Sequence, residues 1–203
     1  MDNLKEKILH GTLKSVETFS INKLNDIIIR SEKEKREYGL LFCGTTDKPP
    51  FGDLSNADLC TGENCSVDIK DCKGKKQIGS FHTHPHAEKG KNFGNLSGKD
   101  IYGTIYHKHN FACIGTIENN RPIIKCFTPA FDIDPTIILR MYNANDDYDR
   151  KLSKASHEKS IKNVDELIES YNKRIRADDE LYQESEALAE RLLFRGADLI
   201  IKR

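Results

Sequence analysis

Apolar side chains recur at Leu4, Ile8, Leu13, Val16, Phe19, Leu24, Ile27 and Ile28, the spacing of a buried helical face. Gly11-Thr12 interrupts that series, which predicts one short turn followed by one longer helix. The next segment, Glu37-Tyr38-Gly39-Leu40-Leu41-Phe42-Cys43-Gly44, is too short for a helix and rich in strand formers. It reads as a buried strand closed by glycine. Residues 45–64 are punctuated by Pro49-Pro50, Gly52, Asn56 and Gly62 and read as loop. Two further strand candidates, 65–72 and 76–82, flank a Lys73-Gly74-Lys75 turn. Ser97 opens a predicted helix of about three turns that ends near His109-Asn110. Residues 112–118 and 121–128 are predicted to form a hairpin across Asn119-Asn120.

Beyond Pro135 the pattern changes. Residues 136–155 and 160–195 are charged and helical in period, with Ile161, Val164, Leu167, Ile168, Tyr171 and Ile175 on one stripe. Leu188, Leu192 and Leu193 continue an apolar face. The chain therefore divides into an α/β domain over residues 1–130, a mixed sheet flanked by helices, and a helical C-terminal extension over 131–203. That extension is expected to pack on the domain or to hold a partner subunit.

The chain has 203 residues, enough for one domain with a core and an appendage. Its 32 basic and 32 acidic residues cancel, so it lacks the broad positive field that drives nucleic-acid binding. The run Glu32-Lys33-Glu34-Lys35-Arg36 mixes signs and reads as a solvated helix end. No signal-peptide pattern opens the chain and no run of eighteen apolar residues occurs, so the expectation is a cytoplasmic protein without a membrane span. Six cysteines stand at 43, 60, 65, 72, 113 and 126, and the cytosolic default is reduced thiols. Cys43, Cys113 and Cys126 lie in apolar runs and read as small buried hydrophobes. Cys60, Cys65 and Cys72 crowd a polar region, where loop packing, redox lability and a second zinc site all remain open.

Chemistry concentrates in Phe81-His82-Thr83-His84-Pro85 and Leu96-Ser97-Gly98-Lys99-Asp100. Residues two apart on an extended strand point to the same side, so both imidazoles can reach one metal. A carboxylate just inside the following helix adds a harder third donor. Two nitrogens and one oxygen leave a fourth position for water, the arrangement of a catalytic zinc site. The plainer alternative is a pair of surface histidines, with Ser97 and Asp100 forming an ordinary capping box.

His-Thr-His-Pro followed by Leu-Ser-Gly-Lys-Asp-Ile resembles the JAMM signature of the MPN-domain (JAB-type) metalloproteases, His-x-His-Pro then Ser-x-x-Asp. The likeness covers about residues 10–130 and implies an MPN-type fold. Family members carry an upstream glutamate in a Glu-x-x-Gly-like strand context. Here Glu37 occupies that place, with its glycine two residues on instead of three. The resemblance implies that His82, His84 and Asp100 ligate zinc. It also implies that Glu37 holds the attacking water and carries its proton to the leaving amine, and that Ser97 stabilises the oxyanion. The activity implied is hydrolysis of amide or isopeptide bonds, with a ubiquitin-like modifier as the substrate partner. A small-peptide or sulfur-carrier hydrolase and a non-catalytic MPN scaffold are the alternatives. One departure is the stretch from His86 to Leu96, longer than the family usual, which is either a neutral insertion or a substrate gate.

Other features draw attention without a site. His107-Lys108-His109 repeats the spacing on a predicted helix, where residues two apart diverge by about 200°. His86 adds nothing that three ligands need, and His10 and His157 have no partners in sequence. Tyr38 and Phe42 read as core. No nucleotide-binding glycine motif is present.

Overall fold

The structure, a computed structural model, describes residues 2–61, 72–85, 98–128, 134–157, 164–188, 191–195 and 198–202. Helices α1 (Asp2–Phe19) and α2 (Ile21–Glu34) precede strand β1 (Tyr38–Gly44). Two-residue strands β2 (Ser55–Asn56) and β3 (Cys60–Thr61) follow, then β4 (Lys76–Thr83), α3 (Gly98–Tyr106) and the pair β5 (Phe111–Glu118) and β6 (Arg121–Phe127). Helices α4 (Pro135–His157) and α5 (Val164–Leu188) lead to β7 (Arg191–Arg195) and β8 (Asp198–Lys202). The strands form one mixed sheet in the order β2-β1-β4-β5-β6-β7-β8, with β3 also on β1. Every pairing is antiparallel except β4 with β5. A parallel pair needs a crossover, and α3 lies on it.

The two faces of the sheet are covered by different helices. Leu40 and Phe42 of β1 point the same way as Phe81 of β4 and Phe111 and Cys113 of β5, and meet Val16, Leu24 and Ile28 of α1 and α2. Phe42 pairs with Gly79 and Cys43 with Gln77, so Ile78 is an extra residue in β4. This bulge turns Ile78 into the same core as Phe81. On the opposite face Ile101 of α3 packs with Phe127, Ile137 and Met141. Each such fully buried side chain contributes about 1.5–3 kcal/mol of transfer free energy.

Several expectations hold. Residues 38–44 are a strand, buried throughout, with Tyr38 and Phe42 in the core. The hairpin turns at Asn119 and Asn120, both left-handed (φ 50° and 59°), as a two-residue turn that follows the strand twist demands. The charged run 32–36 is a solvated helix end, where Lys35 caps α2 with φ 55° and pairs with Glu32.

Others are corrected. The first helix runs straight through Gly11-Thr12 and breaks at Ser20, whose φ is 82°. Gly11 serves close packing, since a Cβ there would lie 2.1 Å from the Phe51 ring. Thr12 bonds back to the Ile8 carbonyl within the helix (2.9 Å). The stretch 45–64 holds β2 and β3, and α3 ends at Tyr106, short of His109. The extension is not helical throughout: α5 stops at Leu188, and Leu192 and Leu193 lie in β7, which prolongs the sheet from β6. The expectation of reduced thiols fails as well. Cys43 is bonded to Cys72 and Cys113 to Cys126, which removes Cys72 from any second zinc set, while Cys60 is free. The strand candidate at 65–71 and Cys65 lie outside the described residues, as do Ser97 and the stretch 86–96. No helix among the described residues is long and apolar enough to cross a membrane.

Candidate metal centre

The site forms where the parallel pair ends. His82 and His84 sit at the C-terminal end of β4, and Asp100 lies in the first turn of α3, the element that begins the crossover. Carboxyl ends of parallel strands and helix N-termini are natural places for ligands, because backbone groups there are not all used by the ladder. His82 is opposite Gly39 in the β1–β4 ladder. The His84 amide donates to the Gly115 carbonyl (2.8 Å) and the Thr116 hydroxyl donates to the His84 carbonyl (3.4 Å), so β5 fixes the backbone of the second histidine.

The three side chains converge. His82 Nε2 is 3.2 Å from Asp100 Oδ1, and His84 Nε2 is 3.6 Å from Asp100 Oδ2. The two Nε2 atoms are 2.9 Å apart. Ligands bonded to zinc at 2.0–2.1 Å in tetrahedral geometry stand about 3.3 Å from one another. These separations bracket that figure, so His82, His84 and Asp100 are close enough to hold one metal ion. Theirs is the one such group found among the described residues. Their side chains retain 21%, 13% and 21% exposure, which keeps an open side for solvent or substrate.

Electrostatics favours a cation here. Burial alone would push the His82 pKa down, yet the Asp100 charge and hydrogen bond, with the Glu37 charge, raise it above the ordinary histidine value. The field that attracts a proton to this imidazole equally attracts a metal ion. Glu37 stands one residue before β1, near enough to His82 and Asp100 for their charges to act on its carboxyl. Its residue is exposed, but crowding of the carboxyl raises its pKa by desolvation; His82 opposes that shift and Asp100 reinforces it. A carboxylate with a raised pKa, next to a cation site, is equipped to take and return a proton.

The other face of this strand end carries side chains that sequence reasoning does not single out. Thr83, between the histidines, is buried, as is Ser31 of α2. Their hydroxyls lie 2.7 Å apart; Thr83 accepts from the Tyr38 amide (2.9 Å), and Ser31 donates to the Arg36 carbonyl (2.6 Å). A small polar residue beside two histidines, set in a strand otherwise pointing apolar groups to the core, is the one signal the sequence offers for it. His107 and His109 are stacked 5.7 Å apart beyond the end of α3 and belong to no metal group among the described residues. His109 is buried instead, with its Nε2 unpaired.

Neither a model of a known protein family nor a curated protein sequence matches the chain.

Proposed function

We propose that the protein is a zinc-dependent metallopeptidase of the JAMM kind that hydrolyses amide or isopeptide bonds. The observation that carries this reading is the convergence of His82, His84 and Asp100, with the Glu37 carboxyl near enough to feel the charges of His82 and Asp100. Two nitrogens and one carboxylate suit zinc and leave part of its shell for reactants. Zinc, when bound, would supply a Lewis acid that polarises the scissile carbonyl and acidifies water. His82 and His84 would present their Nε2 atoms as neutral donors, while Asp100 offsets positive charge. Glu37 would accept the proton of the attacking water and deliver it to the amine nitrogen as the C–N bond breaks. Ser97 fits the same scheme as an oxyanion donor on the strength of its place in the motif.

The substrate class that follows from the motif is a ubiquitin-like modifier in amide linkage. Cleavage of a linear and a lysine-linked ubiquitin-like fusion, each with and without chelator, tests the activity. Chelator-sensitive cleavage of either supports the hydrolase, and preference between them separates a peptide-trimming from an isopeptidase role. No cleavage by the zinc-loaded protein would leave a scaffold. Val164, Ile168 and Tyr171, exposed along one stripe of α5, favour the additional presence of a partner subunit there.

A further inference from the structure

Glu37 occupies an awkward position for a residue asked to place a proton. It follows Lys35, the left-handed cap of α2, and precedes the first paired residue of β1, so neither helix nor ladder fixes it. The residues on either side of it are nonetheless held. The carbonyl of Arg36 belongs to the peptide unit entering Glu37, and the amide of Tyr38 to the unit leaving it. Both are bonded to one pair of buried hydroxyls, Ser31 and Thr83.

The direction of each hydrogen bond follows by counting protons. The Ser31 hydroxyl has one hydrogen, and the Arg36 carbonyl at 2.6 Å can only accept it. In the 2.7 Å contact between the hydroxyls, Thr83 is therefore the donor and Ser31 the acceptor. The Tyr38 amide completes the chain by donating to Thr83. One unbroken relay runs from the Tyr38 amide through Thr83 and Ser31 to the Arg36 carbonyl, and encloses Glu37.

We infer that Ser31 and Thr83 are positioning residues that clamp Glu37 against the metal ligands. The clamp acts from behind. Thr83 faces α2 while its neighbours His82 and His84 face α3, so Thr83, directly and through Ser31, ties the strand that carries the histidines to both peptide units of the glutamate. Ser31 and Thr83 are 1% exposed, so water does not compete for these bonds. Removing the hydroxyls releases the backbone at Glu37 and leaves the donor set of His82, His84 and Asp100 in place.

This inference rests on the proposed role of Glu37, and its test separates the two. Thr83→Val keeps shape and removes the relay, and Thr83→Ser restores it. With zinc loaded, Thr83→Val is expected to lower kcat about tenfold to hundredfold, the scale of a misplacement near 1 Å. KM and zinc stoichiometry should stay within about twofold of wild type, and Thr83→Ser should recover most of kcat. Independently of activity, exchange of the Tyr38 amide with deuterium should become at least about tenfold faster in Thr83→Val and return in Thr83→Ser. Ser31→Ala should lower kcat in the same sense. Unchanged Tyr38 exchange, unchanged kcat, or loss of zinc in Thr83→Val would each overturn the clamp. A wild-type protein that binds zinc and cleaves nothing would instead overturn the hydrolase reading, and the exchange measurement would still decide whether the relay holds this backbone.

Discussion

His109 makes the stability of this fold depend on pH in a way that can be calculated. The side chain sits just past α3, 4% exposed, with its Nε2 unpaired. Burial, aided by the neighbouring His107 charge, lowers its pKa from 6.5 to about 4. The unfolded chain thus takes up a proton near pH 6.5, and the folded chain only near pH 4. Between those values the unfolded state binds more protons, so stability is fully present above 6.5 and declines as pH falls towards 4. Each unit of separation corresponds to about 1.4 kcal/mol, which makes the loss about 2 kcal/mol at pH 5 and about 3 kcal/mol below pH 4. For a chain of 203 residues, 2 kcal/mol lowers Tm by about 4–8 °C. Other groups change protonation as the pH falls, so the quantity to measure is a difference. Urea unfolding of wild type and His109→Phe at pH 7.5 and pH 5 should show the variant losing about 2 kcal/mol less. An NMR titration of the His109 ring should place its pKa near 4. Equal pH dependence in the two proteins, or a ring that titrates near 6.5, would refute the claim that this imidazole is held neutral by burial.

Three other outcomes are expected. Asp100→Ala should reduce zinc bound per chain, and the same loss should follow His82→Ala; metal analysis after dialysis checks both, and stoichiometric zinc in either variant would remove that residue from the ligand set. Glu37→Gln should retain zinc while turnover falls about 10²–10⁴-fold, the usual weight of a general base, and unchanged turnover of a ubiquitin-like fusion would exclude Glu37 from the chemistry. Gly115→Ala should destabilise the fold by about 1–3 kcal/mol in urea, because its Cβ would lie 2.5 Å from Ile28 and 2.8 Å from the Phe81 ring; an unaltered midpoint would mean that α2 can retreat without cost.

Features set by near neighbours along the chain are legible in the sequence. The convergence of His82 and His84 follows from strand periodicity, and the Asn119-Asn120 turn from its backbone preference. Features set by distant contacts are not. Gly11 looks like a helix breaker unless Phe51, forty residues away, is known to press on it. Cys113 and Cys126 are within reach of sequence reasoning, since a two-residue turn at 119–120 makes them direct partners across the hairpin. The assumption of a reducing compartment, not the pattern, hides that pairing. Cys43 with Cys72 depends on how the chain returns into β4 and has no such local cue. The apolar runs around Leu192-Leu193-Phe194 and Leu199-Ile200-Ile201 are of a length at which helix and strand have no distinguishing period. Their identity as strands comes from the open edge of β6. Ser31 is invisible for a further reason. A serine on an amphipathic helix is unremarkable unless its partners, fifty-two residues apart in the case of Thr83, are known.

The residues of the candidate metal group stand on different elements, and each element has its own anchor among the described residues. The histidines end β4, and Asp100 begins α3; residues 86–97 lie between them in sequence. Thr83 is paired with Gly115, and the His84 amide is bonded to the Gly115 carbonyl, which holds the outgoing chain on β5. On the other side Ile101, fully buried against Phe127 and Met141, docks the start of α3, and Lys99 pairs with Asp149 of α4. Asp100 is thus positioned by the packing of α3 on α4 and β6, while the histidines are positioned by β5. Loop closure costs only about 0.6 kcal/mol for each doubling of length, so added residues between two anchored ends change little at the ligands. The candidate metal group therefore depends on the sheet and the α3–α4 contact, and substitutions at Phe127 or Met141 should weaken zinc uptake from a distance, through Asp100, before they touch either histidine.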